Sequence, residues 1–355
     1  MKVLHVIPSL RTGGAEKMLV DVVKEQKSLE IDVSIFCMVK TSSKFELMIE
    51  GVAPIYFSNS KSPYSFHALT AFLKHLTKHK YEVIHSHLTP AQILCLFASI
   101  FLSKKTTFIT TEHSTSNRRR LNTALKFIDF FIYMPYKSVI CISEATGLAL
   151  REWVGSTRKK IEIVHNGIRI SDYSNIRFTT RNAEAPKIVS VGRLEVEKNQ
   201  DTIIEAFATY GKGTLTFVGD GSRMEHLQGM IEKLNIQDKV FFMGNRDDIP
   251  DILASSDIYV QSSHWEGFGL AAVEAMASGL PTIASNIPGL REVVGSAGIL
   301  VTPALSLDLV QALISLEDKH YYNSVSTSCR ARSHEFDVRK TASEYIKIYS
   351  RFPTK

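Results

Sequence analysis

The sequence predicts an α/β protein with two doubly wound domains, each a parallel sheet covered by helices on both faces. Three observations indicate this class. Short β-rich runs alternate with longer helical patterns along the chain, an order typical of parallel sheets. The alternation restarts near Pro186, after a stretch with few apolar residues. The length of 355 residues suits about two domains of roughly 100–200 residues each.

Apolar runs in the first half predict strands, and a helix follows the first of them. The segment after Arg11-Thr12-Gly13-Gly14 places Ala15, Met18, Leu19 and Val22 on one face, the i, i+3, i+4, i+7 spacing of an amphipathic helix. The predicted strands are Val3–Ile7, Val33–Val39, Val83–His85, Thr107–Thr111, Ser138–Ile142 and Ile161–Val164.

The second half repeats this order. A helix is predicted from about Gln200 and a last helix over Val338–Phe352, and residues 168–186 are interpreted as the linker. This divides the chain into a domain of residues 1–170 and a second of residues 171–337. Strands are predicted in the runs APKIVSVGRL (185–194), TLTFVG (214–219), KVFFMG (239–244), DIYVQS (257–262) and PTIAS (281–285).

Composition excludes several classes of protein. With 44% hydrophobic and 22% charged residues, the chain has ordinary globular composition. Its four cysteines include no CxxC pair, which favours buried reduced thiols over disulfides or a zinc site. The beginning of the chain lacks the features of a signal peptide. The longest apolar run, Ala91–Ser103, is shorter than the ~20 residues of a membrane-spanning helix. We therefore expect a cytoplasmic protein, soluble or peripheral.

The charge is distributed unevenly. Residues 1–170 contain 23 Lys/Arg and 13 Asp/Glu, a net +10, whereas residues 171–355 contain 19 and 23, a net −4. A basic half suggests that one domain faces an anionic partner. Because no nucleic-acid-binding module is recognisable, we expect an anionic membrane surface or lipid ligand rather than nucleic acid.

The stretch HWEGFGLAAVEAMASGLP (264–281) predicts a ligand site. Glu266 follows a predicted strand, and Gly267-Phe268-Gly269 leads into a helix that begins near Leu270. The free N–H groups and dipole of a helix start favour an anion such as phosphate. Glu274 lies about one turn into the helix, within reach of a ligand hydroxyl. Acids beside an anion site suit a nucleotide-sugar; alternatively, Glu266 interacts only with the helix dipole and Glu274 is a solvated helix residue.

Two further segments predict phosphate contacts. Gly192-Arg193 follows a strand and Lys198 precedes a helix, so an Arg fork and a Lys point charge can neutralise a diphosphate. Gly13-Gly14 lies at the start of the first helix and offers N–H groups to phosphate or sugar. The segment is not GxGxxG, which makes a dinucleotide site a weak alternative.

Three histidines and one aromatic segment are further candidates for function. His113 follows a long β run and is a candidate to contact the substrate. His85 and His87 form an HxH that is either a metal site or, as we favour, a structural element. The segment Arg118–Lys137 combines three arginines with several aromatic residues. It is either a membrane-associated helix or a core helix with a basic end.

Together these motifs resemble the retaining glycosyltransferases of family 4, which have the GT-B fold. The resemblance extends over nearly the whole chain. Its most specific part is the E-x7-E pattern of Glu266 and Glu274, and the supporting segments occur in the family's usual order: RTGGAE, TEHS, CISEAT, VHNGI, GRLEVEKN and EGFGLAAVE.

The resemblance implies a role for each candidate residue. Glu274 would bind the donor ribose, Glu266 and His113 would approach the transferred sugar, and Arg193 and Lys198 would hold the diphosphate. Further substrate contacts would come from Gly13, Gly14, Asn166, Gly192, Gly267, Phe268, Gly269 and Leu270. The last helix, residues 338–355, would cross back to the N-terminal domain, which binds the acceptor, while the C-terminal domain binds the nucleotide-sugar donor.

The implied activity is metal-independent transfer of a sugar from a nucleotide-diphosphate-sugar to a polysaccharide or lipid-linked glycan, as in capsule or lipopolysaccharide synthesis. No cofactor is expected. The acceptor would attack from the side of the leaving group, since no nucleophilic carboxylate is evident for a double displacement. Alternatives are another nucleotide-sugar enzyme of the same fold, such as an epimerase or a phosphorylase, and a non-catalytic nucleotide-sugar binder. The sequence does not identify the base or the sugar of the donor.

Overall fold

The computed structural model of the protein describes residues 1–352 apart from residues 12, 103–104, 116–121, 123–124, 156–160 and 174–183. The chain divides into two compact units. Unit 1 comprises Met1–Gly167 and Val338–Lys355, and unit 2 comprises Ile168–Asp337. Most of the predicted linker lies outside the described residues; Ile170–Tyr173, near its start, forms a short 3₁₀ helix of unit 2.

Strands alternate with helices in both units. The strands of unit 1 are β1 Lys2–Ile7, β2 Asp32–Cys37, β3 Ile55–Phe57, β4 Val83–His87, β5 Thr107–Glu112, β6 Ser138–Cys141 and β7 Ile161–Ile163. Those of unit 2 are β8 Lys187–Val191, β9 Thr214–Val218, β10 Val240–Phe242, β11 Ile258–Gln261, β12 Thr282–Ser285 and β13 Ile299–Val301.

The helices follow the same division. Unit 1 contains α1 Gly14–Ser28, α2 Lys44–Ile49, α3 Phe66–Lys78, α4 Thr89–Phe101, α5 Lys126–Tyr133, α6 Glu144–Val154 and α14 Val338–Ser350. Unit 2 contains α7 Gln200–Tyr210, α8 Met224–Lys233, α9 Ile249–Ala254, α10 Leu270–Ala277, α11 Pro288–Val294, α12 Ser306–Ser315 and α13 Lys319–Ser333.

Both sheets are parallel and share one topology. The order in unit 1 is β3-β2-β1-β4-β5-β6-β7, and the order in unit 2 is β10-β9-β8-β11-β12-β13. In each sheet the direction of strand addition reverses once, between β1 and β4 and between β8 and β11. In open α/β sheets, ligands bind at the carboxyl ends of the strands beside such a reversal.

The last helix completes unit 1. α14 packs against α1 and buries Tyr345, Ile348 and Tyr349. The Tyr349 hydroxyl lies 2.6 Å from Nδ1 of His85 on β4. The amphipathic face of α14 therefore covers the unit 1 sheet, although every other element of this unit comes from the first 167 residues.

Candidate active site

In unit 2, two loops leave the sheet side by side at the reversal of strand order. β8 leads into Gly192 and Arg193, and β11 leads through Ser262 toward Glu266. The Ser262 hydroxyl donates to the Asn199 carbonyl oxygen at 2.6 Å. Asn199 Nδ2 donates to the Ser262 carbonyl oxygen at 3.2 Å. These reciprocal hydrogen bonds fix the first loop against the second.

Glu266 accepts two hydrogen bonds through one carboxylate oxygen. Lys198 Nζ and Gln261 Nε2 both donate to Oε2, the amide at 2.9 Å. The Lys198 and Glu266 side chains are each only 19% exposed. Because the ion pair is partly withdrawn from water, salt screens it less than a surface pair. The pair holds a positive and a negative group at the strand ends.

The start of α10 faces the same edge of the sheet. Gly269 has φ 104°, a left-handed conformation that glycine adopts readily. The ring of Phe268, 2% exposed, packs edge-on against Phe336 with centroids 5.4 Å apart. The first N–H groups of a helix have no partner within the helix. An anchored turn thus leads into a helix start that suits an anion.

The backbone around Glu266 is also fixed from α11. A Cβ built on Gly289 would lie 2.5 Å from the Glu266 carbonyl oxygen, closer than carbon and oxygen can pack. Gly289 therefore allows α11 to contact the Glu266 backbone directly.

Glu274 is buried, with 6% of its surface exposed, so it is not a solvated helix residue. Burial first, and then the charges of Glu274 and Glu266, raise the pKa of Tyr259 well above its ordinary value. The Tyr259 hydroxyl donates to Gln261 Oε1 at 3.0 Å. Gln261 thus connects Tyr259 to Glu266, and both acids act electrostatically on the same tyrosine.

Arg193 and Gly192 occupy the rim of this site. The Arg193 side chain is 72% exposed and pairs with Glu197, whereas Lys198 pairs with Glu266. Gly192 lies against the Lys198 side chain, since a Cβ added to this glycine would be 3.5 Å from Lys198 Cε. The two predicted diphosphate-binding cations therefore differ in burial and in partner.

The predicted residues of unit 1 lie on three loops, at the start of α1, after β5 and after β7. Gly13 precedes α1 and Gly14 is its first residue. Asn166 is buried, and its Oδ1 accepts no hydrogen bond from any described residue. His113 follows β5, and its Nε2 lies 3.2 Å from Nδ1 of His87.

A cluster of histidines lies at the reversal point of the unit 1 sheet. His5 on β1 and His85 and His87 on β4 are fully buried, and one nitrogen from each lies within 4.8 Å of the others. Such spacing could hold a metal ion, but these rings also contact one another and nearby polar groups. Burial lowers the pKa of His5 to about 4 and those of His85 and His87 well below the ordinary value.

An exposed apolar patch covers α4 and α5, which pack together in unit 1. On α5 it includes Phe127, 69% exposed, and Phe131, 41% exposed. On α4 it includes Phe97, Ile100 and Phe101. The three arginines of the predicted basic segment, residues 118–120, lie outside the described residues. Within the described ranges, no helix combines the length and the apolarity that crossing a bilayer requires.

Sequence patterns alone did not identify four residues of these sites: Gln261, Tyr259, Gly289 and His5. Tyr259 and Gln261 are two residues apart in β11, so the two-residue period of a strand places their side chains on one face. This period could have predicted that the two side chains lie together. Gly289 and His5 act through contacts distant in sequence, for which the local sequence contains no signal.

Two family models match the chain. A model described as Glycosyltransferase Family 4 matches residues 12–172, and one described as Glycosyl transferases group 1 matches residues 172–331. A galactosyltransferase of Escherichia coli that acts on GlcNAc-diphosphoundecaprenol is 27% identical, over 79% of this chain and 78% of that protein.

Two further similarities extend this result. The N-acetyl-α-D-glucosaminyl L-malate synthase of Bacillus anthracis is 26% identical, over 81% of this chain and 79% of that protein. The crystal structure of Anabaena Alr3699/HepE in complex with UDP and glucose matches with a TM-score of 0.85 at 23% identity, covering 99% of each chain. The similarity to the Anabaena structure is a similarity of fold.

Proposed function

The chain belongs to the family 4 glycosyltransferases, and we propose that it transfers a sugar from a uridine-diphosphate-sugar to a lipid-linked or polysaccharide glycan of the cell surface. Its two parallel-sheet units have the GT-B fold. The E. coli relative that uses UDP-galactose and a diphospholipid-linked acceptor supports both substrate classes.

The observation that supports this function best is the Lys198–Glu266 pair beside the start of α10. A cation, a carboxylate and free helix N–H groups meet at the strand ends where nucleotides bind in this class of sheet. The cation and the helix start would hold the diphosphate, and Glu266 would contact hydroxyls of the transferred sugar. Glu274, buried near Tyr259, would accept hydrogen bonds from the ribose.

The chemistry requires stabilisation of the departing diphosphate. As the bond from the sugar to the diphosphate breaks, negative charge grows on the leaving group, and preorganised donors lower the barrier. Lys198, Arg193 and the first N–H groups of α10 would supply them, which is the basis for proposing metal-independent transfer. We further propose retention of configuration, with the acceptor attacking from the leaving-group side and its proton passing to the diphosphate.

The first test compares two lysines of unit 2. Lys198→Met removes the cation beside Glu266 and should lower kcat/KM for transfer by roughly 100-fold or more, the effect of losing one transition-state donor. Lys212→Met removes an exposed lysine that pairs with Glu317 at 2.8 Å and should leave transfer near the wild-type rate. Steady-state kinetics with a matched UDP-sugar and lipid-linked acceptor measure both. Wild-type activity in the Lys198 variant would contradict the proposed site.

The donor class has its own test. UDP should raise the melting temperature of the wild-type protein by mass action, and Glu274→Ala should reduce this shift because a ribose contact is lost. Both melting curves are recorded over a titration of UDP. A shift of equal size in the variant would exclude Glu274 from nucleotide binding.

A second proposal concerns the membrane. The apolar patch on α4 and α5 exposes Phe127 and Phe131, whose rings pack edge-on with centroids 4.9 Å apart. It lies in the half of the chain whose net charge is +10. Exposed aromatic side chains on a domain with net positive charge suit an anionic bilayer surface. We infer that unit 1 docks there, which would bring the enzyme to a lipid-linked acceptor.

Vesicle flotation tests this docking. The protein should bind vesicles containing anionic phospholipid, and binding should weaken as salt rises because screening shortens the range of the attraction. The double substitution Phe127→Ser and Phe131→Ser should abolish most binding. Phe241→Ser, at an exposed phenylalanine of unit 2, is the matched control. Absence of wild-type binding at low ionic strength would refute the membrane proposal.

A further inference from the structure

A continuous line of hydrogen bonds joins Gln26 on α1 to His113. Gln26 Oε1 lies 2.8 Å from His5 Nε2, and His5 Nδ1 lies 2.9 Å from His87 Nε2. His87 Nδ1 in turn lies 3.2 Å from His113 Nε2. We call these four residues the histidine chain. Each ring uses one nitrogen toward each neighbour, so the chain has no branch.

The rings of the histidine chain are neutral at physiological pH. Burial lowers the pKa of His5 and His113 to about 4, and that of His87 well below its ordinary value. A neutral imidazole has one N–H donor and one lone pair. The direction of one hydrogen bond therefore determines the direction of the next, from one end of the chain to the other.

Gln26 sets the direction. Its carbonyl oxygen faces His5, and its buried Nε2 has no hydrogen-bond partner among the described residues. A carbonyl oxygen only accepts, so His5 Nε2 must donate and His5 Nδ1 holds a lone pair. His87 Nε2 then donates to His5, and His113 Nε2 donates to His87.

The consequence appears at His113. With its proton on Nε2, its Nδ1 holds a lone pair, and this buried atom accepts no hydrogen bond from any described residue. A buried acceptor without a donor is costly, so a hydroxyl that donates to it would be favoured. His85 lies outside this line because the hydroxyls of Tyr349 and Thr111 contact its two nitrogens at 2.6 and 2.7 Å.

We propose that Gln26 is a positioning residue: through His5 and His87 it fixes the tautomer of His113, so that Nδ1 accepts a hydrogen bond from a hydroxyl of the transferred sugar. The tautomer is a property of the protein without substrate. The contact with the sugar rests on the proposed transferase function.

The tautomer is read from long-range ¹H–¹⁵N correlation spectra of the protein labelled at histidine, with His113 assigned by its loss in His113→Asn. Wild-type His113 should show a single neutral form protonated at Nε2. Gln26→Met keeps the side-chain length but removes the acceptor, and the His113 signals should move toward the Nδ1-protonated form. Those of His75, a buried histidine bonded to Tyr81 at 3.0 Å, should not move.

Gln92→Met is the matched variant, since Gln92 is a buried glutamine bonded to Thr110 and Glu112 outside the histidine chain. It should leave the His113 tautomer unchanged. A His113 protonated at Nδ1 in the wild type, or unaltered in Gln26→Met, would overturn the proposal. So would a 1:1 shift of the His5, His85 and His87 signals on adding Zn²⁺, because these rings would then form a metal site.

Kinetics test the contact with the sugar. Gln26→Met should lower kcat/KM for the UDP-sugar several-fold while the circular dichroism spectrum stays that of the wild type. A changed tautomer with unchanged kcat/KM would refute the role of His113 Nδ1. These results are separable from the Lys198 and Glu274 tests, because the tautomer is measured without substrate.

Discussion

At the residue scale, the backbone of Glu266 occupies space that is available only because Gly289 has no side chain. Gly289→Ala would place a Cβ 2.5 Å from the Glu266 carbonyl oxygen, so the loop must shift. We expect a loss of about 1–3 kcal/mol in the free energy of unfolding, typical of overpacking, together with reduced transfer. Urea denaturation and steady-state kinetics measure the two effects.

Gly229 provides the matched substitution. It lies inside α8, and a Cβ there meets no atom within 4 Å. Because glycine is a poor helix former, Gly229→Ala should raise the free energy of unfolding by up to about 1 kcal/mol without changing transfer. If both alanine variants were equally stable, the contact between α11 and the Glu266 backbone would not be as close as described.

The same residues show what local sequence can predict. Glu266 and Lys198 were identified because each follows a strand and precedes a helix, and parallel strands present such loops at one edge. Their direct pairing was not predicted, since 68 residues separate them. Arg193 was expected to share their role, yet it pairs with Glu197 four residues later. Spacing along the chain predicts which edge a side chain occupies, but not its partner there.

At the scale of elements, β1 and β4 bring buried neutral histidines into the sheet of unit 1. The pKa of His5 is about 4 in the fold, against about 6.5 in the unfolded chain. The unfolded state thus binds more protons between these values, and stability falls as pH falls through this window. Each such histidine contributes a slope of up to about 1.4 kcal/mol per pH unit.

The two tryptophans allow this effect to be measured within unit 1. Trp265→Phe leaves only Trp153 on α6, whose indole donates to the buried Asp129 at 2.7 Å. The urea midpoint from Trp153 fluorescence should decrease steadily from pH 7 to pH 5. A midpoint independent of pH over this range would mean that the histidines bind protons as readily in the folded protein as in the unfolded chain.

Elements differed in how well the sequence predicted them. Strands of four or more residues gave clear apolar runs, and all of them were expected. β3 and β13, three residues long with few fully buried positions, were not predicted, whereas the equally short β7 and β10 were, because longer β-rich runs surround them. α10 was predicted from its glycine-bounded start and from Gly279 and Pro281 after its end, signals that are local by nature.

At the scale of the whole molecule, unit 1 is built from two segments that flank unit 2 in the sequence. Deletion of residues 338–355 removes α14 and exposes the face of unit 1 that Tyr345 and Tyr349 cover. We expect unit 1 to lose its cooperative unfolding transition, while unit 2, continuous in sequence, still folds. Hydrogen exchange of the truncated protein should show fast exchange in β1 and β4 and protection in β8 and β11. Protection in all four strands would show that α14 is dispensable.

The presence of two parallel-sheet α/β domains was accessible from the sequence because the strand–helix order restarts near Pro186. The return of the last helix was not: its amphipathic pattern shows that one face is buried, but not against which sheet. The family resemblance supplied that expectation, and the contact between α14 and α1 is the physical reason for it.

The position of α14 affects the order in which a ribosome can complete this protein. Unit 2 has all its residues once Asp337 has been translated, whereas unit 1 lacks α14 until residues 338–350 follow. Until then the nascent β1 and β4 lack their cover, and a chaperone that binds apolar surface would find it there. Translation that stops between Asp337 and the end of α14 would therefore yield a molecule with a complete unit 2 and an incomplete unit 1.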